Sequence, residues 1–281
     1  MTNRPLTYVI RNREPLVLSG DATVREACRA MLECSCGSVL IVDDRRRVKG
    51  IFTGRDAVRL LATGKGDPDT PLAKAGTRKP STMAADGRAV DALRLMLQGG
   101  FRHVPVVSED GELIGVVSRG DLKGMEIEEY RWHSHGRLHG LPIHSDLAEI
   151  VASQKPIVMA GTATVGEACA ALCRERAGAV LVVDSRERLK GIFTGRDAAR
   201  ALVDAKAPAE LRLSRAMTRD PVTLGPECRP IEALRAMCEG GFRHVPVVDG
   251  GRILGVVSRS DFTGVELDRL EEEEHLKECI W

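Results

Sequence analysis

Apolar positions along the chain switch between two periods. Over residues 23–33, TVREACRAMLE, the spacing sets Val24, Ala27, Cys28, Met31 and Leu32 on one helical face, with Thr23 and Glu26 as a capping box ahead of it. SVLIVDD at 38–44 and VKGIFT at 48–53 are β-rich runs separated by the polar triplet RRR, close enough to pair as a hairpin. GRDAVRLLA at 54–62 returns to helical spacing. The same order recurs at 90–97, 103–107, 112–118 and 119–125, and twice more in the second half. The pattern predicts four units, each a leading strand, a helix, a hairpin and a second helix.

The two halves are copies. GIFTGRDA stands unchanged at 50–57 and 191–198, and GGFRHVPVV at 99–107 returns at 240–248, both at an offset of 141 residues. GVVSRGD at 115–121 becomes GVVSRSD at 255–261 after a shorter turn. A repeat sets the unit that needs explaining. A unit of roughly 50–60 residues carries a sheet with an apolar face and too little core to stand alone, so neighbours are expected to pair. The units read as 8–63, 72–125, 151–205 and 212–265, with TGKGDPDTP at 63–71 as a flexible joint. Residues 126–150 read as a linker, first a helix continuing from Asp121 and then a loop. Residues 266–281 read as an acidic C-terminal helix whose Leu267, Leu270 and Ile280 are placed to meet a partner surface.

Composition narrows the chemistry. Hydrophobic residues make up 43% of the chain, and 41 basic residues face 40 acidic ones, so no overall field recruits nucleic acid or an anionic membrane. Aromatic residues, at 3%, leave little for base-stacking platforms. The apolar runs fall far short of the ~20 residues of a membrane span. The opening MTNRPLTYVI lacks the apolar stretch of a signal peptide, so a cytoplasmic protein is expected. The eight cysteines include Cys34-Ser-Cys36 and Cys169 with Cys173, and no two CxxC pairs stand at zinc-ligand spacing. They are expected to be small buried side chains. His133, His135, His139 and His144 lie among polar, Gly- and Pro-containing neighbours, which suits an exposed connector; no metal site is expected. No Walker loop, GxSxG, HExxH or GxGxxG occurs, and the residues outside the four units are too few for a catalytic domain, so no enzyme is expected.

One motif closes every hairpin: Thr53-x-x-Asp56, Ser118-x-x-Asp121, Thr194-x-x-Asp197 and Ser258-x-x-Asp261. Such a motif ahead of an apolar helix is an ordinary capping box. Each copy, however, carries an arginine in the first helical turn: Arg55, Arg119, Arg196 and Arg259. A cation beside the positive pole of a helix is disfavoured by about 0.3–1 kcal/mol. An anion lying between them would reverse that balance. The alternative is that each arginine pairs with its neighbouring aspartate or points into solvent. In FRHVPVV, strand alternation puts Phe101 and His103 on one face and Arg102 and Val104 on the other. Arg102 and Arg243 are therefore expected in a cleft, and His103 and His244 as hydrogen-bonded structural residues.

These features resemble the cystathionine-β-synthase (CBS) domain family, whose members occur in pairs called Bateman modules. The resemblance rests on the strand–helix–strand–strand–helix order, on HVPVV, and on the Gly-hydrophobic-hydrophobic-Thr/Ser-x-x-Asp signature at Gly50–Asp56, Gly115–Asp121, Gly191–Asp197 and Gly255–Asp261. It implies an α+β fold of four units, each a small three-stranded mixed sheet with two helices, paired into two modules. It further implies ribose contacts from Asp56, Asp121, Asp197 and Asp261, and phosphate contacts from Thr53, Ser118, Thr194 and Ser258, with the base between paired units. Arg102 before Pro105 and Arg243 before Pro246 match the family's basic position, whereas units 1 and 3 have Gly37 and Ala177-Gly178 there. Together with Arg55, Arg119, Arg196 and Arg259, they complete the expected phosphate set. The implied activity is non-enzymatic sensing of AMP, ADP or ATP, with magnesium entering only alongside ATP. The signal would pass to a regulated partner protein, from an internal four-unit disc or from a homodimer. The alternatives are a sensor of S-adenosylmethionine or NAD, and a ligand-free oligomerising scaffold.

Overall fold

The computed structural model describes residues 3–11, 14–64, 66–122 and 146–262. A short helix α1 (Leu6–Ile10) precedes unit 1, which comprises β1 (Val17–Leu18), α2 (Val24–Glu33), β2 (Ser38–Val42), β3 (Val48–Thr53) and α3 (Gly54–Ala62). Unit 2 follows as α4 (Leu72–Ala75), β4 (Thr77–Arg78), β5 (Met83–Ala84), α5 (Ala89–Gly99), β6 (His103–Val107) and β7 (Leu113–Ser118), closed by a 3₁₀ turn at Arg119–Asp121. The second half repeats this as α6 (Leu147–Val151), β8 (Ile157–Ala160), α7 (Val165–Arg174), β9 (Ala179–Val183), β10 (Leu189–Thr194) and α8 (Gly195–Asp204). It ends with α9 (Leu213–Ala216), β11 (Thr218–Arg219), α10 (Pro230–Gly240), β12 (His244–Asp249) and β13 (Arg252–Ser258).

In each of the first three units the leading strand runs parallel to the first hairpin strand, and a helix makes the crossover that a parallel pair needs. Two sheets exceed the expected three strands. The two-residue strands β4 and β11 add antiparallel to β3 and β10, so each comes from the chain that enters the next unit. A two-residue strand shows no periodicity, so sequence patterning does not reveal it. In unit 4 the leading strand shrinks to one bridge, Leu224 to Val247, beside the β12–β13 pair. The hairpin turns of units 1 and 3 are held by Asp43 and Asp184, whose carboxylates accept from the amides of Arg45 and Arg47, and of Arg186 and Arg188, at 2.9–3.0 Å. Those backbone donors hold both carboxyls well below the usual range.

After Ser38 the strand VLIV is apolar at every position because both faces of β2 are covered. Val39 and Ile41 join a core with the helices of unit 1 and of unit 3, while Leu40 faces Leu113 of unit 2. In unit 3, Val180 and Val182 enter the same core, and Leu181 packs with Ile253 and Val256 of unit 4. A second core joins units 2 and 4 through Leu93, Met96, Leu234 and Met237. Sheets thus join units 1 to 2 and 3 to 4, and helices join 1 to 3 and 2 to 4. The ring of four closes within one chain. Arg25 ties it further, its Nη1 donating to the carbonyls of Leu202 and Val203 at the end of α8, at 3.2 and 2.7 Å.

The segments that lead into units 1 and 3 pack on the other member of each pair. Leu6 N donates to Gly87 O and Ala89 N to Arg4 O, both at 2.9 Å, and Ile10 lies over Gly115, where a Cβ would come within 2.8 Å of it. In the same way α6, the last part of the stretch read as a linker, packs on unit 4: Leu147 N donates to Cys228 O at 2.9 Å. The expectation of buried cysteines needs correction. Among the described residues only Cys28 and Cys169 are buried, while Cys34, Cys173 and Cys238 are exposed. The last three lie at or beyond the solvent-side end of an amphipathic helix, where the apolar face no longer covers them. The helical continuation expected after Asp121, the four linker histidines and the acidic tail lie outside the described residues.

Candidate anion site at the centre of the ring

The first three signatures fold as reciprocal caps, and in the fourth the Ser258 hydroxyl pairs instead with that of Ser260. The amide and hydroxyl of Thr53 donate to Oδ2 of Asp56 at 2.8 and 2.7 Å, and those of Thr194 to Asp197 at 2.8 Å. Ser118 does the same to Asp121 at 2.6 and 2.7 Å, and the Ser258 amide donates to Asp261 at 2.6 Å. The pairs then diverge. In units 1 and 3 the second carboxylate oxygen is also taken: Thr77 Oγ1 donates to Asp56 at 3.1 Å and Thr218 Oγ1 to Asp197 at 2.8 Å. Arg59 and Arg200, one turn on, complete each set as ion pairs. Asp56 and Asp197 are only 3% and 2% exposed, so protein groups saturate both. Asp121 and Asp261 are half-buried, and Asp121 closes a single 3₁₀ turn, Arg119–Asp121.

The signature arginines also divide. Arg55 Nη1 donates to Gly100 O, and Arg196 Nη1 donates to Gly241 O at 3.2 Å. Gly100 and Gly241 are the left-handed caps that end α5 and α10, with φ of 66° and 63°. Each guanidinium therefore sits between the positive pole of its own helix and the negative pole of a helix in the paired unit, and the second contact offsets the first. The placement of these two arginines has a structural cause that the motif by itself does not display.

Arg102 and Arg243 each stand one residue before a first hairpin strand, in units 2 and 4, and Arg102 feels the charge of Arg243. Burial depresses the pKa of Arg102, and Arg243, Arg55 and Arg119 depress it further, with Asp261 opposing. Burial, then Arg196 and Arg259, depress that of Arg243, with Asp121 opposing. Arg243 remains exposed, so crowding by like charge is the firmer of its two causes. Burial pushes His103 and His244 down to about 4, and both feel Arg102 and Arg243. Among the described residues, six arginines and two aspartates, Asp121 and Asp261, thus share one field. A chain of almost no net charge concentrates positive charge at one place.

Four glycines shape this centre, and their role is not visible in the motif. A Cβ at Gly37 would stand 2.8 Å from His103 Nε2, and one at Gly178 only 2.4 Å from His244 Nε2. Units 1 and 3 have glycine there because a neighbour's imidazole occupies the space. A Cβ at Gly54 would lie 3.5 Å from Gly195 O, and one at Gly195 3.3 Å from Gly54 O. The two GIFTGRDA strings touch, backbone to backbone, where α3 and α8 begin side by side. Open depressions of about 550 Å³ beside Met159 and Glu167 and about 260 Å³ beside Ala148 and Arg252 contain none of the signature residues. Among the described residues no group of three or more His, Cys, Asp or Glu could hold a metal, and no helix is long and apolar enough to cross a membrane.

The CBS-domain family model matches residues 9–63, 67–125, 147–204 and 212–268, and the chain belongs to that family. It is 27% identical over 278 residues to the CBS domain-containing protein CBSCBSPB1 of Arabidopsis thaliana, covering 88% of this chain and 51% of that protein. It is 27% identical to the meiotically up-regulated gene 70 protein of Schizosaccharomyces pombe, covering 96% of this chain and 46% of that one. The chain spans about half the length of these relatives. The crystal structure of protein MJ1225 from Methanocaldococcus jannaschii superposes with a TM-score of 0.73 at 17% identity, covering 95% of this chain and 99% of that one, and so shares the fold. Four CBS units, paired into two Bateman modules, account for the architecture.

Proposed function

We propose that this protein is a non-enzymatic regulator that binds adenine nucleotides, with their phosphates at the arginine centre. The observation that carries this reading is the convergence of Arg102 and Arg243 with four further arginines against two carboxylates. Crowded guanidiniums repel one another, and a phosphate bound among them offsets that repulsion through charge-assisted hydrogen bonds. The CBS-family resemblance supplies the adenosine part. The four clefts are not equivalent in this reading. Asp121 and Asp261, with Ser118, Ser258, Arg119 and Arg259, serve the ligand, whereas Asp56 and Asp197, already saturated, hold units 1 and 3 together with Thr53 and Thr194. Arg55 and Arg196 contribute charge to the centre while anchored to the neighbouring helix. Binding between units 2 and 4 favours one mutual arrangement of the modules, by no more than the ligand's differential affinity for the two arrangements, and a partner protein reads it.

Calorimetric titration with AMP, ADP and ATP, with S-adenosylmethionine and NAD alongside, tests the proposal. Each lost charge-assisted hydrogen bond costs about 1.5–3 kcal/mol, so Arg102→Gln and Arg243→Gln are each expected to weaken binding about tenfold or more. Asp261→Ala is expected to weaken nucleotides without weakening inorganic pyrophosphate. If no nucleotide binds, or if both arginine variants bind as well as the parent, the reading fails.

A further inference from the structure

Cys34 and Cys36 flank a single residue in the loop from α2 to β2, and their sulfurs approach to 2.6 Å. Ser35 between them adopts a left-handed φ of 51°, which folds the loop so that both side chains leave on the same side. Unit 3 provides an internal control. Its equivalent residues are Glu175, Arg176 and Ala177, with Arg176 at φ of 52°. Cys34 N and Glu175 N both donate four residues back, to Ala30 O and Ala171 O, at 3.1 and 3.0 Å, while Cys36 N and Ala177 N donate at 3.1 Å to Met31 O and Leu172 O. The backbone turn therefore forms without sulfur, and nothing in the fold requires two cysteines in unit 1. Cys34 is exposed and open to a reagent, whereas Cys36 is half-buried and its thiol lies 3.7 Å from Ser38 O. Burial, reinforced by the neighbouring Cys34, pushes the Cys36 thiol up to about 12, so Cys34 is the sulfur that reacts first.

We propose that Cys34 and Cys36 form a reversible dithiol–disulfide site whose oxidant is a low-molecular-weight disulfide. The Cys34 thiolate attacks one sulfur of that disulfide, its S–S bond breaks, and one small thiolate leaves. The Cys36 sulfur then attacks Cys34 in the mixed disulfide, giving the Cys34–Cys36 bond and releasing the second small thiol. Two protein S–H bonds are lost, one external disulfide is reduced, and the two protons end on the two thiols released. The site stands at the rim of the arginine centre, because the next residue, Gly37, borders His103 and Arg243. Its existence does not depend on a nucleotide binding there.

The test incubates the reduced full chain with glutathione disulfide and reads intact mass and mapped peptides. The expected result is loss of two hydrogens on the peptide holding residues 34–36, restored by dithiothreitol. The double variant Cys34→Glu, Cys36→Ala carries the residues unit 3 already tolerates. It is expected to keep the parent unfolding midpoint and to lose the mass change. A glutathione adduct that persists at Cys34 or Cys36, a disulfide joining other cysteines, or no reaction at residues 34–36 would each overturn the proposal.

Discussion

At the scale of single residues, one carboxylate type performs two tasks. Asp56 accepts from Thr53, Thr77 and Arg59, and its removal strands several donors in a buried place. Asp56→Ala is expected to destabilise the chain by about 2–4 kcal/mol, measured by denaturant unfolding, because hydrogen bonds to a charged group are worth about 1.5–3 kcal/mol and several are lost. Asp261→Ala, where the cap takes one carboxylate oxygen, is expected to cost clearly less. The half-buried histidines set a pH dependence. His103 and His244 fall from 6.5 to about 4, so the folded chain leaves them neutral while the unfolded chain protonates them below pH 6.5. Stability is therefore fully present above that value and declines as pH falls towards 4, by up to about 1.4 kcal/mol per pH unit for each histidine. Unfolding midpoints between pH 7 and 4 test this, and His103→Gln is expected to remove about half of the slope. Asp43 and Asp184, with lowered values, lose their contribution only below the ordinary carboxylate range of 3.8.

At the scale of elements, the identical octapeptides are explained by a contact rather than by a ligand alone. Gly54 and Gly195 let α3 and α8 start in backbone contact, and a Cβ at either position stands at 3.3–3.5 Å from the other's carbonyl. Gly54→Ala is expected to be nearly neutral, since a single methyl just fits and alanine favours the helix. Gly54→Val adds atoms that meet the Gly195 backbone and is expected to lower the unfolding midpoint by several degrees in thermal scans, because overpacking costs about 1–3 kcal/mol. The arginine at each helix start was a signal in the sequence, and its meaning depended on where the neighbouring helix ends. Arg55 and Arg196 reach the C-terminal carbonyls at Gly100 and Gly241, a partnership across 45 residues that no local pattern contains. Arg102, matched with Arg243 to the family's basic position, feels the charge of Arg243 from the other half of the chain, which strand alternation could not state.

At the scale of the whole molecule, neither half owns a complete core. The helices of unit 1 are covered by those of unit 3, and the helices of unit 2 by those of unit 4. Residues 1–125 expressed alone are therefore expected to dimerise, the second copy standing in for the missing half, with a molecular mass twice that of the fragment in sedimentation experiments. A stable, monomeric fragment at micromolar concentration would contradict the shared-core account. In the full chain the two cores are coupled through both sheet interfaces, and a single unfolding transition is expected when calorimetry and far-UV circular dichroism are compared.

Local periodicity, the caps and the exact repeats were enough to establish four similar α+β units, because each unit's helices and strands are specified by residues within a few positions of one another. The site depended on more. Which units face through sheets and which through helices, and hence which arginines share a field and which aspartates are saturated, is decided by apolar faces seeking cover across more than a hundred residues. Repeated sequence makes the four signatures look alike; their neighbours in three dimensions make them differ, since burial and charge depend on what surrounds a group and not on what precedes it in the chain.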